Sequence, residues 1–113
     1  MCSKHQVFEI LSNVYTACNA ALGEHIHDTI LYGSYARGDQ QPESDVDILL
    51  TADLTQDEIA RQRRQIASVA SRLSLDYDVT VSIQIVPLAQ FQRYAEYLPF
   101  YQNVLKEGIR YAS

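Results

Sequence analysis

Hydrophobic positions change their period several times along the chain, and each change marks an element. From Val7 to Leu22 the apolar residues Val7, Ile10, Leu11, Val14, Tyr15, Cys18 and Leu22 recur three or four apart, which places them on one face of a helix. Gly23 stands where such a helix takes a left-handed cap, and residues 1–6 read as frayed. Ile26 to Tyr32 is the first strand. Gly33 to Gly38 reads as a tight turn entering a short helical piece, followed by a solvated rim loop, Gln40 to Glu43 with Pro42. Asp45 to Leu50 is the second strand, and its unbroken Ile48-Leu49-Leu50 ending suits burial on both faces.

Beyond a connector at Thr51 to Leu54, Thr55 and Glu58 have the spacing of a capping box. The helix it opens is predicted over Gln56 to Leu73, with Ile59, Ile66, Ala67, Val69, Ala70 and Leu73 on the core face. Asp76 to Val86 alternates and reads as the third strand. Val79, Val81, Ile83 and Ile85 lie on one face, and Asp78, Thr80, Ser82 and Gln84 on the other. Pro87 ends it, Leu88 to Glu96 is a helix, Pro99 breaks that helix, and Phe100 to Glu107 is helical again before the short strand Ile109-Arg110-Tyr111. Helices interleaved with strands give an α/β class. With no repeat, low-complexity tract or linker, residues 1–113 read as a single domain. Tyr94, Tyr97, Phe100, Tyr101 and Tyr111 cluster in the tail, where they roof the sheet or form a partner surface; the core reading is preferred.

Composition narrows the classes. A 47% hydrophobic share supports a globular core rather than disorder. Net charge −5 argues against non-specific nucleic-acid binding, which needs a basic surface. Arg61, Arg63, Arg64 and Arg72 sit among acids and amides, as on a solvated helix face. No run approaches a membrane span, and MCSKHQ is no signal peptide. Cys2 and Cys18, widely spaced, read as free thiols, and a cytoplasmic location is expected. His25 and His27 lack companion ligands at metal-site spacing and read as a polar turn.

The chemistry lies between Leu31 and Leu50. Asp45 and Asp47 are two apart, so on a strand both carboxylates face one way. Two such carboxylates repel unless a cation joins them, and their hard oxygens suit Mg²⁺, which also takes oxygens from substrate phosphates. Upstream, the Gly33-Ser34 turn brings main-chain N–H groups and a hydroxyl toward an anion. The G-K-[ST] ending of a P-loop is absent. Arg37 has two readings, a fork for triphosphate oxygens or a structural partner of Asp39, Glu43 or a strand-end carboxylate. Ser44 is placed to steady the turn through its hydroxyl.

Gly33-Ser34-Tyr35-Ala36-Arg37-Gly38 followed by Ser44-Asp45-Val46-Asp47 resembles the signature of DNA polymerase β-type nucleotidyltransferases. For so short a chain the resemblance is to minimal nucleotidyltransferases, many of them antitoxins encoded beside HEPN-domain partners. It implies a small polymerase β-like fold, a mixed sheet with helices packed against it. It also implies transfer of a nucleoside monophosphate, AMP from ATP, to an acceptor hydroxyl, with Mg²⁺ on Asp45 and Asp47 and the nucleotide on Gly33, Ser34, Arg37 and Ser44. The family's third carboxylate, a metal ligand or base on the neighbouring strand, is either Asp78 or missing, since counting back from Pro87 puts Thr80 at that position. Partners implied are a nucleoside triphosphate and a HEPN-domain protein, in a homo- or hetero-oligomer, with no membrane or direct nucleic-acid partner. Two rivals stand beside this reading. One is a non-catalytic module that neutralises a HEPN ribonuclease by covering it; the other is the nucleotide-binding subunit of a small-molecule nucleotidyltransferase.

Overall fold

The computed structural model describes residues 2–111. Helix α1 spans Lys4–Leu22. Ser3 and Gln6 form a reciprocal capping box, so the helix begins at Lys4, before Val7. The expectation of frayed residues at the start is corrected for Cys2 to Gln6. Cys2 is buried, and its N–H donates to the Tyr35 hydroxyl at 3.1 Å. Gly23 ends the helix at φ 63°, its N–H donating to the Asn19 carbonyl.

Four strands build the sheet: β1 (Ile26–Tyr32), β2 (Val46–Ala52), β3 (Val81–Pro87) and β4 (Ile109–Arg110), in the order β3-β2-β1-β4. β1 is antiparallel to β2 and to β4, whereas β2 and β3 are parallel, which makes the sheet mixed. A parallel pair needs a long crossover. Here it consists of α3 (Gln56–Arg61) and α4 (Arg63–Tyr77). The sheet buries both faces. Val46, Ile48 and Leu50 of β2 pack with Ile10, Leu11 and Val14 of α1 and with Ile66 and Leu73 of α4. Leu49 turns to the other face, against Phe91 of α5 (Leu88–Tyr94) and Tyr101 and Val104 of α6 (Pro99–Glu107). Ile48, Leu49 and Leu50 are fully buried, as a two-sided strand requires. The strand also runs on through Thr51 and Ala52, both buried, into the expected connector.

Two boundaries differ from the pattern reading. The crossover helix breaks at Gln62 (φ −99°, ψ 4°), though Thr55 and Glu58 do form the capping box at its start. The third strand begins at Val81 because α4 continues through Tyr77. Leu73 and Tyr77 are four apart and both reach the core cluster around α1, so helical burial prevails over the alternation that starts at Asp76. Ser74 fixes the turn: its hydroxyl donates to the Ala70 carbonyl and accepts from the Val81 N–H. The aromatic tail divides. Tyr101 is buried and Tyr111 packs against Phe8 and Tyr15, while Tyr94, Tyr97 and Phe100 are exposed.

Candidate active site

The site forms where β1 hands over to α2 (Ser34–Arg37) beside the start of β2. Tyr32, the last residue of β1, pairs in register with Asp47, so the next residue, Gly33, passes against that carboxylate. Gly33 has φ 77°, and a Cβ built on it would lie 2.5 Å from Asp47 Oδ2. Only glycine satisfies both the left-handed backbone and the approach. Ser34 opens the short helix, whose first turn has no side-chain cap. Gly38 closes it at φ 82°, its N–H donating to the Ser34 carbonyl. In the loop back to β2, the Ser44 hydroxyl accepts from the Gln41 N–H at 2.8 Å, the turn-steadying bond anticipated for it.

Asp47 is half-buried and Asp45 exposed, one residue before the strand begins. Burial, and after it the negative charge of Asp45, push Asp47 above the ordinary carboxylate range, with Arg37 opposing. Neither carboxylate has an ion-pair or hydrogen-bond partner among the described residues. Arg37 is exposed and bridges two other acids, Asp39 at 3.2 Å, one of the structural partners expected for it, and Glu107 at 3.3 Å, which was not among them and ties α2 to the end of α6. Two adjacent carboxylates, repelling and unpartnered, fit a hard dication that completes its shell with phosphate oxygens and water. They do not make a complete protein cage, since among the described residues no three His, Cys, Asp or Glu side chains gather to hold a metal.

Asp78 is the correction. It lies on no strand: it caps α4 in the left-handed conformation (φ 51°, ψ 48°), exposed, its N–H donating to the Ser74 carbonyl. Its charge is felt by the Cys2 thiol, and it does not join Asp45 and Asp47 as a third ligand. The parallel register sets Ser82 opposite Asp47 and Gln84 opposite Leu49, while the Thr80 carbonyl accepts from the Val46 N–H. The neighbouring strand therefore offers a hydroxyl and an amide where a third acid was sought. Tyr32 and Gln84 escaped the sequence reading. The Tyr32 hydroxyl donates to Gln84 Oε1 at 3.4 Å across β2, and burial followed by the nearby Asp47 raises its pKa. Alternation marked Gln84 as polar, but only the register brings it to Tyr32.

The remaining candidates lie apart from this corner. His27 bonds Asp28 at 3.0 Å, with no metal-ligand group among the described residues. Cys2 and Cys18 are free and buried, and burial pushes Cys18 up to about 11. Arg61, Arg63, Arg64 and Arg72 are exposed. No helix among the described residues is long and apolar enough to cross a membrane.

The chain is similar to several known proteins. Two proteins of Methanocaldococcus jannaschii, provisionally named protein adenylyltransferases, are each 35% identical to the chain. One matches over 77 residues, 68% of this chain and 76% of its own length, and the other over 83 residues, 74% and 75%. Among solved structures, a toxin–antitoxin with AMP-PNP matches at TM-score 0.56 and 21% identity, covering 99% of this chain and 75% of that one. A mutant of the MntA–HpeT toxin–antitoxin matches at TM-score 0.56 and 19% identity, with the same coverage. These two share the fold, an α/β mixed sheet with helices packed against it. The model of the nucleotidyltransferase domain matches residues 16–111, so the chain belongs to the nucleotidyltransferase domain family.

Proposed function

We infer that the protein transfers AMP from ATP to an acceptor hydroxyl on a HEPN-type partner, and so acts as an antitoxin. The observation that carries this reading is the unpartnered Asp45–Asp47 pair, with Asp47 lying against Gly33. The naming of relatives as protein adenylyltransferases, and of a structural neighbour as a toxin–antitoxin with AMP-PNP, supports the acceptor class and the nucleotide.

Asp45 and Asp47 would hold Mg²⁺, which when bound neutralises phosphate charge and orients the triphosphate. Gly33 lets the phosphate chain approach the main chain, and the Ser34 hydroxyl lies at the start of α2 to bond it. Arg37 already makes two ion pairs; it exchanges one carboxylate for a phosphate oxygen when the nucleotide enters. Ser44 keeps the loop before Asp45 in shape. In the transfer, the acceptor oxygen bonds to the α-phosphorus, the bond to the leaving pyrophosphate oxygen breaks and pyrophosphate departs, and the hydroxyl proton passes to solvent water. With Ser82 opposite Asp47, no carboxylate of β3 takes that proton. General base catalysis contributes roughly 10²–10⁴ in rate, so this chain relies on positioning and charge neutralisation and is a slow transferase. Ser82→Asp should speed it at least tenfold.

The missing third acid favours one second reading, a module that silences its partner by complex formation alone. Incubation with a HEPN partner and ATP labelled in the α-phosphate separates the two. The transferase reading expects label on the partner, lost in Asp45→Asn/Asp47→Asn although the complex persists. Silencing of the partner by wild-type protein with no label transferred would establish the binding module instead.

A further inference from the structure

We propose that the free edge of β3 is the docking site for an extended acidic polypeptide segment, added to the sheet as a fifth strand. The inference rests on the transferase reading only for what that segment delivers, the acceptor hydroxyl. β3 is the end strand of the sheet and pairs with β2 alone. Exposed edges are usually protected by charged residues or proline. Val81-Ser82-Ile83-Gln84-Ile85-Val86 has neither, and Pro87 comes only at its last position.

An open groove of about 480 Å³ runs along this edge. It is lined by four consecutive strand residues, Ile83, Gln84, Ile85 and Val86, with Arg63 of α4 and Gln90 of α5 on its walls. Successive strand residues point to opposite faces. A groove touching four in a row therefore lies over the edge itself, where the main chain is accessible for pairing. Strand addition takes its affinity from that main chain and its specificity from neighbouring pockets.

Two observations define the occupant. Arg63 is the groove's one charged lining residue, and it has no ion-pair partner among the described residues. In a chain of net charge −5 this unpaired cation on the groove wall, with exposed Arg64 next to it in sequence, calls for an acidic residue on the incoming segment. A second copy paired β3 to β3 would bring no acid on that strand. One wall residue of the groove is also bonded to a neighbour of Asp47. Gln84 lines the groove and accepts from the Tyr32 hydroxyl beside Asp47, and Ser82, two residues before Gln84 on β3, lies opposite Asp47. A segment paired with β3 thus passes one strand spacing from Ser82 and two from Asp47, roughly 9.5 Å, within reach of a side chain aimed at the nucleotide.

The test pans a displayed library of random linear peptides against the full chain with Mg²⁺ and a non-hydrolysable ATP analogue. Selected peptides should carry Asp or Glu among alternating β-branched residues and should shift the amide resonances of residues 82–86. They should bind Arg63→Glu roughly tenfold more weakly. Arg63 is exposed in the first turn of α4, where glutamate is tolerated, so this variant should keep the wild-type melting temperature and ATP response. Peptides that map elsewhere, or that bind Arg63→Glu equally well, overturn the proposal. So does nucleotide alone shifting the same resonances and displacing the peptides, or concentration-dependent self-association through β3. If peptides map to β3 while Mg·ATP fails to bind, the transferase reading falls and the groove stands. The opposite result removes only the groove.

Discussion

Asp47 and Gly33 each limit what the other position can hold. Asp47 carries a raised pKa from burial and from Asp45, so the folded protein binds a proton there more readily than the unfolded chain does. Unliganded stability should therefore decline as pH rises from the ordinary carboxylate range through the folded value. Asp47→Asn removes that loss, and its unliganded melting temperature at pH 7 should exceed wild type; a lower one would mean that the carboxylate has a stabilising partner. Gly33→Ala should cost about 1–3 kcal/mol, since alanine would sit in a left-handed backbone with its Cβ against Asp47 Oδ2. Chemical denaturation reads that loss. The residues of this corner were legible because a glycine-serine turn and two carboxylates two apart are local patterns. Ser82 and Tyr32 were not, since what makes them neighbours of Asp47 is strand register, which no local pattern states.

Asp78 shows how element boundaries decide chemistry. A period-two pattern beginning at Asp76 put this acid on a strand face, but Leu73 and Tyr77 continue the helical spacing, and four more helical residues move Asp78 to a left-handed cap. A few residues of boundary thus removed a catalytic candidate. The elements themselves were legible where end signals reinforce periodicity, as at Thr55 and Glu58 before α3 and Gly23 after α1. Thr55→Ala removes a side chain that accepts from the Glu58 N–H and should cost about 1 kcal/mol, read from the denaturation midpoint. The break at Gln62 had no such signal, for neither proline nor glycine stands there.

At the scale of the whole molecule, one buried strand connects the site to everything else. β2 carries Asp47 at one end and, at the other, Thr51, whose hydroxyl donates to Asp28 at 2.9 Å. Burial alone would raise the pKa of Asp28, but hydrogen bonds with His27 and Thr51 and the charge of Arg110 hold it below the usual carboxylate range. Its contribution is present above the unfolded pKa and lost as pH falls through the folded one. Acid should therefore weaken the clasp among β1, β2 and β4, and Asp28→Asn should flatten the acid limb of the stability curve. The α/β class and the two-sided burial of β2 could be read from the chain, whereas strand order and the parallel β2–β3 pair could not, because periodicity does not encode neighbours. The central claim, that Asp45 and Asp47 hold Mg·ATP against Gly33, is tested most directly by the melting temperature with and without Mg·ATP. With ligand at a hundred times Kd, wild type should gain about 10 °C. Asp45→Asn/Asp47→Asn, folded and no less stable without ligand, should gain nothing from it, and an unchanged gain in that variant would contradict the account.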